Sequence, residues 1–344
     1  MNSVNNGGSI GFFNVLQRGL TKAIEVVSAA GRTIVRNLSE IPRIPRPLVP
    51  LMRSTQSLAQ VLAQPIDGGT FSELPATPLG DMFGIWSPKY VNFIRNHCMK
   101  RFEECVGNGV TTIEDLDKVF VARSEFAPDI SVAQAQDFGF ILPGNICDLM
   151  ERNPNLKIKP LVIRCFGVGS GSTVAQIQEG AKNILSLSTD RLTLSNALVL
   201  SHIESVRQRF ESDPNVLVIP FMTGFSMGGM FASAIALQNN FPSMVFNGLG
   251  LGKAGCDFVG EENWARAQRQ PNSHIAMFVD HDFVASPDSS WRNVTKIPGH
   301  IVSIPGENSA NPTLGEEREI HCAYKKYFDR VHQNHLVSRA HADV

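Results

Sequence analysis

Five short apolar runs, each followed by a stretch long enough for a helix, constrain this chain more than any other feature. They are 160–166 (PLVIRCF), 215–222 (NVLVIPFM), 244–247 (MVFN), 275–279 (IAMFV) and 300–304 (HIVSI). A continuous apolar run bounded by turn residues reads as a strand buried on both faces. Helical stretches are expected at about 174–187 and 193–212, and again at 227–238, which is rich in Ala and Met. Strands alternating with helices imply an α/β fold, with a mainly parallel sheet and helices on both faces. The core expected from this pattern runs roughly from 159 to 330.

The flanking sequence divides differently. The first eleven residues are polar and glycine-rich and lack the apolar content needed to order a chain. From 12 to 36 a helical period places Phe13, Leu16, Leu20, Ile24 and Val27 on one face, with Arg18, Lys22, Glu25, Arg32 and Arg36 mostly on the other. Two readings stand: a helix packed on the main domain, or a basic amphipathic segment for a membrane surface or for targeting. Prolines 42, 45, 47 and 50 then predict an extended arm, with loop-like sequence up to about Asp81. Residues 1–80 are thus read as a disordered start, an amphipathic helix and a proline-rich arm. Residues 81–158 are read as a helical segment packed on the core, with helices from Ser87 to about Val106 and from Thr112 onward. Residues 331–344 read as a polar tail in which His332, His335 and His341 face solvent.

Composition narrows the class. With a net charge of −1, nothing favours nucleic acid as a partner. The six cysteines (98, 105, 147, 165, 256 and 322) form no C-x-x-C pair and no metal-ligand spacing, which suits a reducing compartment. No run of eighteen apolar residues and no secretory signal is found, so no transmembrane helix is expected. The expected location is cytoplasmic, or outside the cell by a route without a cleavable Sec signal.

The run 215–222 leads into Thr223-Gly224-Phe225-Ser226-Met227-Gly228-Gly229, and a helix follows. This is G-x-S-x-G in the context that motif needs: strand, tight turn, helix. Gly224 and Gly228 keep side chains out of a turn that lifts the Ser226 hydroxyl clear of the sheet. The turn also aims the Met227 N–H at a developing oxyanion. A serine hydroxyl needs a base, and the base needs an orienting carboxylate. In the chain order Ser, Asp, His, the segment Asp280-His281-Asp282 follows the fourth strand. Asp282, further past the strand end, is the better placed aspartate. His281 lies too close in chain to both aspartates, and His300 starts a strand at the wrong edge of the sheet. His321 follows the last strand and a long loop, which makes it the candidate base. The loop Gly167-Val168-Gly169-Ser170-Gly171 supplies a second oxyanion donor, the Val168 N–H. As a dinucleotide-type loop it would lack its third glycine, because Ser172 holds that place, and no P-loop lysine follows.

The elbow, the helix after it and Val245-Phe-Asn-Gly-Leu-Gly resemble the class 3 (fungal-type) lipases and their bacterial relatives, which carry T-G-H-S-L-G-G and a strand ending in F-N. Asp280-His-Asp-Phe-Val-Ala-Ser-Pro287 is similar to their D-x-V-x-x-x-P segment, with Asp282 as its aspartate. His321-Cys-Ala-Tyr324 is similar to their histidine with a nearby tyrosine. The resemblance covers roughly 159–328. Phe225, Met227 and Val168 stand where that family has histidine, leucine and a hydroxylated oxyanion residue.

The resemblance implies an α/β-hydrolase that cleaves carboxylic esters, above all lipid esters, through an acyl-enzyme, with no metal or organic cofactor. Peripheral membrane contact would come through helix 12–36. Two alternatives stay open: an acyltransferase or thioesterase with the same triad, and an inactive hydrolase-fold binding module. A lid, if there is one, would come from 249–272.

Overall fold

The computed structural model describes residues 66, 69–99, 121–142, 146–166, 189–210, 213–270, 272–282, 284–287, 289, 292, 294–307 and 320–342. The amphipathic segment 12–36, the prolines at 42–50, the helix expected from Thr112, the helix expected at 174–187 and Val168 lie outside these residues.

Among the described residues the sheet has seven strands: β1 (Thr77–Pro78), β2 (Val121–Phe126), β3 (Lys157–Phe166), β4 (Val216–Phe225), β5 (Ser243–Phe246), β6 (His274–Val279) and β7 (His300–Ile304). Their spatial order is β1-β7-β6-β5-β4-β3-β2. All neighbours pair in parallel except β2, which runs antiparallel to β3. The chain therefore has an α/β fold built on a mostly parallel sheet. The central strands β5 and β6 are buried at every position, which explains why their sequences are apolar without alternation.

From β3 to β7 each strand lies beside its predecessor, always stepping the same way across the sheet. Parallel crossovers are right-handed, so steps in a single direction put every crossover helix on one face. That face carries α5 (Thr189–Gln208), α6 (Met227–Asn239) and α7 (Lys253–Arg269), packed through Val199, Ile203, Phe231, Ile235 and Trp264. The other face must be covered by chain from outside the repeating pattern. It is, by α1 (Leu79–Met82), α2 (Pro88–Phe93, continued by a π-turn Ile94–Cys98), α3 (Val132–Asp137), α4 (Ile146–Arg152) and α8 (Tyr324–Ala342). Tyr90 stacks on Phe138 at 4.9 Å, and Phe93 meets Phe221 of β4 edge-on at 5.1 Å. Ser87 caps α2 by accepting from the Tyr90 N–H, with Pro88 in the first turn.

Four sequence readings differ from this arrangement. Residues 69–80, taken as the end of the arm, pack on the core. Phe71 meets Trp264 edge-on at 5.3 Å, Ser72 O accepts from Trp264 Nε1, and Thr77–Pro78 adds an edge strand beside β7. Two residues are too few to leave a periodic signal. β2, with Arg123 and Glu125 in it, was expected to be helix or loop. An edge strand with charged residues lacks the apolar run that marks a buried one. The stretch 249–272, considered as a lid, is largely α7 with its buried Trp264, bent at Gly260 (φ 75°). The tail from 331 is the second half of α8. His332 and His335 lie 5.0 and 5.5 Å from the Phe83 ring rather than free in solvent. A helix anchored by Tyr324, Tyr327 and Phe328 can propagate past the core it started on, so its polar end carries no period to read. No helix of the described residues is long and apolar enough to cross a membrane.

One buried group gives the fold a pH dependence. His274 opens β6 fully buried, with Nδ1 3.2 Å from Ser243 Oγ. Burial, reinforced by Arg266, pushes its imidazole down from 6.5 to about 3. Between those values the unfolded chain binds a proton that the folded chain does not. Stability therefore falls as pH drops through that window, by at most about 1.4 kcal/mol per pH unit. Urea unfolding from pH 7 to pH 4 should show a shallower loss for His274→Asn than for the parent chain. Equal slopes would remove His274 as the cause.

Candidate active site

The turn between β4 and α6 is under strain. Ser226 sits between Phe225, the last residue of β4, and Met227, the first of α6, with φ 54° and ψ −129°. A non-glycine residue there costs about 1–3 kcal/mol and persists only where its surroundings hold it. Three backbone hydrogen bonds do so. The Ser226 N–H donates to Phe246 O, and Ser226 O accepts from the N–H groups of Gly229 and Leu249. Glycine is needed at two places around it. A Cβ on Gly224 would stand 2.5 Å from Gly228 O, and one on Gly229 would stand 2.7 Å from Gly248 Cα. The Gly228 backbone is thus what Gly224 makes room for. Gly229, not singled out from the sequence, lets α6 close on the chain after β5. Its signal was present in the doubled glycine.

Ser226 makes no side-chain cap bond to its own helix, which leaves the hydroxyl uncommitted there. Met227 is the first helical residue, and its N–H has no intrahelical acceptor. It lies at the positive end of α6.

The aspartate and histidine meet. Asp282 Oδ2 lies 2.6 Å from His321 Nδ1, although the two are 39 residues apart in sequence. Asp282 is 1% exposed and His321 8%. The second carboxylate oxygen, Oδ1, accepts from the N–H groups of Val284 (2.9 Å) and Ala285 (2.7 Å), so the carboxylate is held on both sides. An ionised carboxylate only accepts, so Nδ1 carries the imidazole proton and Nε2 is left as the basic nitrogen. The ring of Phe225, the residue before Ser226, lies 4.8 Å from the imidazole and 5.2 Å from the Tyr324 ring.

The other candidates are placed as follows. The Asp280 N–H donates to Ile304 O and extends the ladder between β6 and β7. His300 starts β7 and is bonded to Thr77 Oγ1 at 2.8 Å. His281 occupies the turn before Asp282 in a left-handed conformation, φ 66°. Three of the thiols are poor nucleophiles, because burial pushes Cys256 up to about 12 and raises Cys98 and Cys165 well above the usual range. No group of three His, Cys, Asp or Glu among the described residues is arranged to hold a metal ion.

The surroundings of the edge are tied together by side chains the sequence did not mark. Arg164 of β3, almost fully buried, pairs with Glu125 of β2 at 2.8 Å and donates to His97 O. Thr223 Oγ1 donates to Cys98 O and Tyr324 Oη to Met99 O. The end of α2 is thereby fastened to two strands and to the start of α8. Asn247, known from the sequence only as the end of a strand, is fully buried at the same edge.

No protein-family model matches this chain, and no curated protein matches it at a significant level. Its activity must be argued from these residues.

Proposed function

We propose that this chain is a serine hydrolase with an α/β-hydrolase core, akin to the class 3 lipases, and that it cleaves carboxylic esters. One observation carries the reading: a strained serine at a strand-to-helix turn shares a sheet edge with a buried Asp–His pair, in the chain order Ser226, Asp282, His321. Strain of this kind, held by backbone hydrogen bonds, gathers at catalytic turns.

His321 Nε2 takes the hydroxyl proton as Ser226 Oγ bonds to the ester carbonyl carbon. The carbonyl electron pair moves to oxygen, which is received by the Met227 N–H and, from the loop after β3, by that of Val168. Collapse of this intermediate breaks the bond to the alcohol oxygen, which leaves with the proton from His321. Water then attacks the acyl-enzyme with His321 again as base, releasing the acid and restoring Ser226. Asp282 holds the imidazole in the tautomer that can accept from serine and stabilises it once charged.

Lipid esters are the proposed substrates on the strength of the resemblance, and the basic amphipathic segment 12–36 is the proposed membrane contact. The test is hydrolysis of short- and long-chain p-nitrophenyl esters by the purified full chain and its Ser226→Ala variant. Equal rates for the two would contradict the reading.

A further inference from the structure

We infer that Asn247 is a positioning residue that fixes the backbone of the catalytic histidine relative to the segments bearing the serine and the aspartate. The inference rests on the hydrolase reading above and adds to it a residue outside the triad.

Asn247 lies one position beyond β5 and is fully buried. Its φ of 43° is left-handed, a conformation that asparagine tolerates better than other residues with a Cβ. Its backbone N–H and both side-chain polar atoms are bonded. The backbone N–H donates to Met277 O at 2.8 Å. Oδ1 accepts from the Val279 N–H at 2.8 Å, and Nδ2 donates to His321 O at 2.8 Å and to Ile320 O at 3.4 Å.

Two of these bonds lead to members of the triad, and the chain neighbour of Asn247 leads to the other. Val279 is the last residue of β6, and its carbonyl accepts from the Asp282 N–H at 3.0 Å. His321 is bonded directly through its carbonyl. Phe246, just before Asn247 in the chain, accepts through its carbonyl from the Ser226 N–H. One side chain therefore spans 32 positions to the aspartate's strand and 74 to the base. The chemistry required is one acceptor and a two-hydrogen donor, at fixed separation, on a short side chain in a left-handed backbone. Asparagine supplies all of these. Aspartate has no donor, glutamine is a methylene too long, and alanine removes all three side-chain bonds.

Asn247→Asp keeps the acceptor for Val279 and tolerates the backbone angle. It replaces the donor with an oxygen facing two carbonyls, so the helical segment 320–322 is pushed from its place and the imidazole moves with it. A shift of about 1 Å in a catalytic group costs on the order of 10²-fold in rate. The expected result is a kcat for p-nitrophenyl butyrate about 10²-fold lower, with KM little changed and the rate of labelling by a fluorophosphonate reduced in parallel. Asn247→Gly accepts the positive φ and removes all three side-chain bonds. It should give the same split and guards against a folding defect peculiar to aspartate.

Both variants are to be measured on the full chain, well below their melting temperatures and with the folded fraction checked by circular dichroism. Folded variants that keep the parent kcat and labelling rate, whatever their Tm, overturn the inference while the hydrolase reading stands. So does a loss confined to KM. A parent chain that is neither labelled nor active overturns both.

Discussion

Ser226→Ala should lower kcat for ester hydrolysis by on the order of 10⁶-fold while leaving the chain folded and about as stable as before. The size follows from the chemistry: without Oγ there is no acyl-enzyme, and what remains is binding plus any oxyanion stabilisation at the turn. Stability is expected to hold because alanine meets the same penalty as serine at φ 54°, and the three backbone bonds that hold the turn use no side-chain atom. Ser226 also makes no cap bond that alanine would forfeit. Steady-state kinetics on a p-nitrophenyl ester, with thermal unfolding on the same samples, separates the two effects. A modest kinetic loss that follows a drop in Tm would mean that Ser226 only shapes the turn.

Asp282→Asn should cost about 10⁴-fold in kcat with little change in stability. The two oxygens of Asp282 have different partners, and this difference decides the outcome. Oδ1 faces two N–H donors, from Val284 and Ala285, so the amide of an asparagine must put its oxygen there. Its NH₂ then faces His321 Nδ1, where Oδ2 stood at 2.6 Å. That nitrogen must become the acceptor and the ring proton moves to Nε2. An imidazole protonated on Nε2 cannot accept from serine. The variant keeps its packing and holds the wrong tautomer. Activity within tenfold of the parent would show that the Asp282–His321 bond is structural.

The parts of the fold that could be read from sequence are those whose environment is uniform. Strands β3 to β7 are buried on both faces, so each appears as an apolar run, and their boundaries fall within a few residues of expectation. β4 extends three residues further, to Phe225, because Thr223 and Gly224 resemble a turn although they are still paired in the sheet. β1 is too short and β2 too polar to stand out, and both lie at edges, where the surroundings impose little on the sequence.

The candidate site divides in the same way. The serine turn is local, written in seven consecutive residues whose glycines answer to specific backbone approaches. Asp282 and His321 could be ordered along the chain but not paired by it, since their contact depends on where β6 and the start of α8 come to rest. Asn247 left no chemical trace at all. A single asparagine after the apolar tripeptide Met244-Val245-Phe246 looks like any strand end, and its partners lie far away in sequence. Long-range polar ties of this kind are decided by the packed sheet.

The measurement closest to the central claim is covalent labelling of the purified chain by a fluorophosphonate, read by mass spectrometry of the digested protein. An activated serine should take up one probe per chain, on the peptide carrying Ser226, and labelling should vanish in Ser226→Ala and slow sharply in Asp282→Asn. A folded parent chain that stays unlabelled, or one labelled at another residue, would contradict the assignment of Ser226 as the nucleophile.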